Sequence, residues 1–211
     1  MKKVSLLLLT ILLTIGCNQK QKEQVVSQES NPQLTAAEIR NQEIQDSLKK
    51  VRNDSLALIA WGDAKFGMSM KEVLATETFK GGDKYYDSIT MEFERERNFT
   101  RAFGLNNLAT FEAEFKENEL YRIYIRSYYL TANRINDLVS DCDIFIKNFT
   151  EKYGEPSYKK SKVNISEFNS GEEFEYAKFQ IGDKTITIVL GELSSEVKFY
   201  YHVYIDNSKF P

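Results

Sequence analysis

The chain has 211 residues, 42% of them apolar, with 28 Lys and Arg against 31 Asp and Glu, a formal charge of −3. That balance, with signs interleaved as in Glu94-Arg95-Glu96-Arg97, offers no basic patch and argues against a nucleic-acid partner. The only histidine, His202, lies in the middle of an expected strand, so no imidazole cluster, triad with histidine or HExxH zinc site can be written, and two cysteines are too few for a disulfide-stapled fold.

Residues 4–15 form an apolar run behind Lys2 and Lys3, shorter than the roughly 20 residues that a membrane-spanning helix needs. The basic start, the short apolar region and the small Gly16 have the form of a secretory signal peptide over residues 1–16. Thr14-Ile15-Gly16-Cys17 resembles the lipobox of bacterial lipoproteins, with threonine where leucine is usual. The resemblance implies cleavage before Cys17 and a lipid on its sulfur. That places the protein in the cell envelope, anchored to a bacterial membrane, here expected to be the outer one, and facing periplasm or exterior. Lipidation of Cys17 leaves Cys142 without a disulfide partner, and loss of residues 1–16 takes the charge from −3 to −5.

Residues 17–34 are rich in Gln, Lys, Glu, Ser and Asn and lack aromatics, the composition of a flexible tether. Thr35 and Glu38 then form a capping box, with Leu34 and Ile39 placed as its staple, so a stalk helix is expected over 35–60. Ala37, Ile44, Leu48, Val51 and Leu58 fall at heptad spacing, interrupted by Asn41 and Ser55. A coiled-coil stalk would use such a stripe. The interruptions favour a solvated helix that lays the stripe on its own domain.

The globular part is expected over 61–211. A short strand at Trp61 leads to a second capping box, Ser69 to Glu72, which starts a helix near Met70. Three strand-like alternations follow: Ile89, Met91 and Phe93; Phe111, Ala113 and Phe115; Tyr121, Ile123 and Ile125. Ile135, Leu138, Val139, Cys142, Phe145, Ile146, Phe149 and Tyr153 then share one helical face, stopped by Gly154 and Pro156. Strands are expected at 172–181, 184–190 and 196–206, the first two joined by a Gly182-Asp183 turn. Helix, strands, helix, strands is the order of an α+β fold, an antiparallel β-sheet with helices packed on one face. Two tandem halves, 61–130 and 131–211, also fit this spacing.

"FGMSMKEV" and "EKYGEP" resemble the helix-start and helix-stop signatures of small exported α+β domains. Those are the domains similar to β-lactamase-inhibitor protein and to small outer-membrane assembly lipoproteins. The resemblance implies a helix-on-sheet module that binds proteins and lacks catalysis.

Candidate chemistry is sparse. Glu172-Glu173 and Asp141/Asp143 could serve as acid and base or as cation ligands, but abundant glutamates read as a solvated face. Cys142, on an apolar helix face, reads as a core residue, and Gly81-Gly82-Asp83 as a turn. No cofactor or metal is expected. On the strand over 121–128, the even positions present Arg122, Tyr124, Arg126 and Tyr128. On 197–205, with Val197, Phe199, Tyr201, Val203 and Ile205 inside, Lys198, Tyr200, His202 and Tyr204 face out. Tyr and Arg are enriched where partners dock, so Arg122, Tyr124, Arg126, Tyr200, His202 and Tyr204 form the expected partner-binding face. Asp46-Ser47-Leu48, Asp54-Ser55-Leu56 and Asp87-Ser88-Ile89 resemble the O-glycosylation acceptor motif of exported Bacteroidetes proteins, with Ser47, Ser55 and Ser88 as acceptors. The expectation is therefore a lipid-anchored, non-catalytic protein-binding or envelope-assembly module. The alternative is an exported enzyme with an unrecognised carboxylate site.

Overall fold

The computed structural model describes residues 35–169, 171–193 and 197–210, so the expected signal peptide, the expected lipidation site Cys17 and the expected tether lie outside the described residues. Thr35 caps α1 (Ala36–Leu58): its Oγ1 accepts from Glu38 N, while Glu38 Oε2 accepts from Thr35 N at 2.7 Å. Residues 35–52 are exposed throughout; the last turns dock on the body through Asn53, Leu56 and Ala57, and an open cleft separates Gln45, Leu48, Lys49 and Arg52 from residues 150–154. The stripe is therefore not laid on its own domain, contrary to expectation. Ile44, Leu48, Val51 and Leu58 are 49%, 60%, 63% and 44% exposed, because the docked residues occupy the other side of the helix.

After α1 come β1 (Ile59–Trp61) and β2 (Ala64–Lys65), a small ribbon, and the single-turn α2 (Met70–Leu74), capped by Ser69 as its sequence demands. β3 (Asp83–Lys84) and β4 (Ser88–Thr90) precede α3 (Phe93–Phe103). α3 replaces the strand expected to run through Phe93. Phe99 and Phe103, one turn apart, point to the core, and Gly104 ends the helix at φ 75°, the left-handed conformation that glycine adopts without strain. β5 (Ala109–Lys116), β6 (Glu119–Ser127) and β7 (Leu130–Thr131) follow. Next come α4 (Ile135–Tyr153), β8 (Tyr158–Lys159), β9 (Glu173–Ile181), β10 (Lys184–Leu193) and β11 (Lys198–Asn207).

One antiparallel sheet runs β3-β4-β5-β6-β11-β10-β9-β8, with β7 added beside β11. The β6–β11 pairing, Ile123 opposite Ile205 and Ile125 opposite Val203, joins strands of residues 61–130 to strands of 131–211 in a continuous sheet. Helices pack on one face only, which is the α+β architecture. Phe111, Ile123, Ile125, Ile186, Ile188, Tyr201 and Val203 supply the sheet side of the core. Leu138, Cys142, Phe145 and Phe149 of α4 close it, together with Phe99, Phe103 and Trp61. The Trp61 ring lies 5.0 to 6.2 Å from Phe99, Phe103, Phe111 and Phe149, which gathers α3, β5 and α4 around one aromatic centre.

Two positions expected inside are not. A register shift beside Glu114 and Phe115 sets Leu120 into the core and turns Tyr121 so that its hydroxyl donates to Glu114 Oε2 at 2.9 Å. Val197 has φ 49° and is 64% exposed, because the chain turns there before β11 begins.

Polar groups also enter the core. Asp141 on α4 is fully buried and accepts from the backbone and side-chain amides of both Asn106 and Asn107, which locks the loop after α3 to α4. Burial pushes its carboxyl up while those four hydrogen bonds oppose the shift. At the other end, Lys184 Nζ donates to Leu56 O at 2.7 Å and Ile59 O at 3.1 Å, and Asn207 Nδ2 donates to Ala57 O at 2.9 Å. These donors satisfy carbonyls at the C-terminal end of α1, so the stalk is fixed to the body by its last turn. Among the described residues no helix is long and apolar enough to cross a membrane.

Candidate functional site

The sheet face away from the helices is where the expected residues gather. Cross-strand register sets Tyr124 opposite Tyr204, Arg126 opposite His202 and Arg122 opposite Asp206 on the β6–β11 pair. The Tyr124 and Tyr204 rings stack at 5.3 Å, His202 lies 5.0 Å from Tyr124 and 4.4 Å from Tyr200, and Tyr200 meets Tyr129 edge-on at 5.7 Å. This is a continuous row of five rings. Antiparallel pairing produces it, because directly opposed side chains on one face come within contact distance.

Glu173 anchors the row from two strands away. His202 Nδ1 lies 2.5 Å from Glu173 Oε1, and the Tyr204 hydroxyl donates to Glu173 Oε2 at 3.2 Å. Burial alone would raise the Glu173 carboxyl. Hydrogen bonds from His202, Tyr204 and Tyr200 outweigh it and hold the group below the usual carboxylate range. The same burial, together with the Glu173 charge, pushes the Tyr204 and Tyr200 hydroxyls up, so both remain neutral donors at physiological pH.

Not every expected residue is free to meet a partner. Tyr200 was expected to face out; it does lie on the outer side of the sheet, but it is only 8% exposed. Its ring covers Gly191, where a Cβ would come within 2.6 Å of Tyr200 Cζ, and Tyr129 and His202 cover it in turn. Arg122 is also engaged: its Nε donates to Asp206 Oδ1 at 2.6 Å, and its Nη1 lies 3.5 Å from Glu114 Oε2. Tyr124, His202 and Tyr204 are partly exposed. Arg126 is exposed, its Nε donates to Thr110 Oγ1, and it makes no salt bridge among the described residues. Beside it a shallow hollow is lined by Thr110, Arg126, Ser127, Tyr128 and Tyr129, and the two tyrosines are 46% and 50% exposed. Tyr129 was not expected to take part, since it lies past the end of β6, where strand alternation no longer assigns a side.

The other candidates are placed as follows. Asp143 is held by Tyr176 and Lys159, and Glu172 by Asn169, apart from Asp141 in the core, so the acidic pairs do not converge. No group of three or more His, Cys, Asp or Glu able to hold a metal occurs among the described residues. Cys142 is fully buried, and burial pushes its thiol up. Ser47 and Ser55 are exposed on α1, whereas Ser88 is buried on β4, so an acceptor role there would require modification before folding. Compared with known protein families, curated proteins and solved structures, the chain matches none.

Proposed function

We propose that the chain is a lipid-anchored protein of the bacterial cell envelope, held by Cys17, and that its helix-free sheet face binds another protein. The observation that carries the reading is the row Tyr129, Tyr200, His202, Tyr124 and Tyr204, preorganised around Glu173 and left uncovered by any helix. Rings already held in place lose little freedom on docking, which favours affinity. The docking end is the hollow at Tyr128, Tyr129 and Arg126, where exposed ring area adjoins a guanidinium that makes no salt bridge among the described residues and feels the buried Glu96 carboxylate only at longer range. A protein surface that offers a carboxylate beside apolar side chains complements it.

Capture from envelope extract by the wild-type protein, compared with Arg126→Ala and Tyr129→Ala, tests this. Both side chains are exposed, so melting temperatures should stay within a few degrees. Capture should fall at least tenfold for a truncated anchor, about 1.4 kcal/mol or more, and the Arg126 contribution should shrink as salt rises. Equal capture by all three proteins would remove the face from consideration. The anchor is tested separately: palmitate labelling should be lost in Cys17→Ala, and retained label would refute it.

A further inference from the structure

The exposed stripe on α1 has the geometry of a seam. In heptad register Asn41, Leu48 and Ser55 are a positions, and Ala37, Ile44, Val51 and Leu58 are d positions. Asn53, Leu56 and Ala57, which meet the body, are f, b and c, the side opposite the seam. The body is thus attached behind the seam; the end of α4 flanks it on the e side, across the cleft from Gln45 and Arg52, and leaves the d positions Ile44 and Val51 open. Residues 35–52 are exposed along their whole length, with Gln45, Leu48, Lys49 and Arg52 forming one wall of an open cleft whose other wall is residues 150–154, and no ion pair braces α1 among the described residues. A bare helix of this length is marginal in water, so lateral support is the missing element.

From this geometry we infer that α1 pairs in parallel and in register with α1 of a second copy of this chain. The polar layers decide the occupant and the direction. In register, Asn41 meets Asn41 and Ser55 meets Ser55 of the other copy, so each polar group finds a like partner. An antiparallel pair would set these a positions against apolar d positions and bury an unpaired amide. Across the seam Arg40 faces Gln45, and Ser47 faces Arg52, so no like charges oppose. Parallel pairing also puts the N-terminal ends of both helices together, about 35 Å from the bodies, which suits two chains held on one surface by the anchor proposed above. The inference rests on α1 and, for the direction of pairing, also on the lipid anchor proposed above; it does not depend on the aromatic sheet face. It excludes modification of Ser55, which would sit inside the seam.

Single cysteines in the full-length chain, expressed in bacterial cells and oxidised there, test it. Ile44→Cys and Val51→Cys should each yield a disulfide-linked species of twice the chain mass, because identical residues meet only in the parallel, in-register arrangement. Asp46→Cys, at an f position, should not, and the chain without an added cysteine controls for Cys17. Adding Leu48→Lys to Val51→Cys should lower the yield at least about tenfold, since it puts a charge into the seam. No linked species at either seam position, equal linkage at Asp46→Cys, or a product of another mass would each overturn the inference.

Discussion

Lys184 gives the sharpest test of how the stalk is joined to the body. Its side chain is fully buried, Nζ donates to Leu56 O and Ile59 O, and it lies 4.2 Å from the centroid of the Tyr153 ring. No carboxylate accompanies it among these contacts. Burial, aided by nearby Lys152, pulls its pKa from 10.5 down to about 7. Tyr153 is itself raised to about 12 by burial, so the ring stays neutral over the range that matters. Between pH 7 and 10.5 the unfolded chain holds a proton at this lysine that the native chain lacks, so stability rises with pH across that window. The penalty is full below pH 7 and gone above 10.5, at most about 5 kcal/mol. The ring face and the helix-end carbonyls favour the cation and offset part of it, which leaves a rise of about 2 to 4 kcal/mol. Lys184→Met removes both the proton and the donors to two carbonyls, which costs about 1 to 3 kcal/mol for each group left unpaired. Urea unfolding of wild type and variant at pH 6.5, 8 and 9.5 separates the terms: the wild-type advantage should widen as pH rises. A difference constant over that range would mean that Lys184 keeps its charge in the folded chain.

Three further outcomes follow from the core. Phe145→Ala should cost about 3 to 5 kcal/mol in urea unfolding, because the ring is fully buried against Phe99, Phe103, Phe149 and Tyr201, and a loss below 0.5 kcal/mol would contradict that placement. Asp141→Asn should cost about 2 to 4 kcal/mol, because an amide nitrogen then faces an N–H donor of Asn106 or Asn107, and hydrogen exchange of those two amides should quicken. Tyr201→Phe should raise stability by about 1 kcal/mol, since the Tyr201 hydroxyl is buried and hydrogen-bonds to none of the described residues; a lower melting temperature would disprove it.

Much of the scaffold was legible because its signals are local. The capping boxes at Thr35 and Ser69, the apolar face of α4 and the Gly182-Asp183 turn each need only a few residues to specify their geometry, and each is found where expected. α3 was missed for the same reason in reverse. Ile89, Met91 and Phe93 alternate like a strand, but Glu92 already has extended N-cap geometry, and the helix is fixed by Phe99 and Phe103 reaching Trp61 and Phe145, contacts distant in sequence. The stalk face was misjudged because interruptions in a heptad stripe say how strong a seam is, not which object covers it.

The candidate site shows where alternation stops being informative. Period two correctly sets Tyr124, His202 and Tyr204 on the outer face, because β6 and β11 keep an unbroken register where they pair. It does not reach Glu173, since β9 carries an irregularity opposite Ile188 and Val189 that leaves Tyr176 unpaired between Ala177 and Glu175. Ile181, Phe179 and Ala177 point to the core; one residue is inserted, and parity changes, so Phe174 turns inward and Glu173 outward. The inserted residue is not idle: Tyr176 is buried and its hydroxyl donates to Asp143 on α4 at 3.0 Å, which holds the irregularity in place. Glu173 then lies opposite Gly191, the one strand position between it and Tyr200 that carries no side chain, and reaches across to His202. The charge at the centre of the ring row thus depends on a register shift fixed from the helix side, and Tyr176 is the residue through which the core positions the outer face.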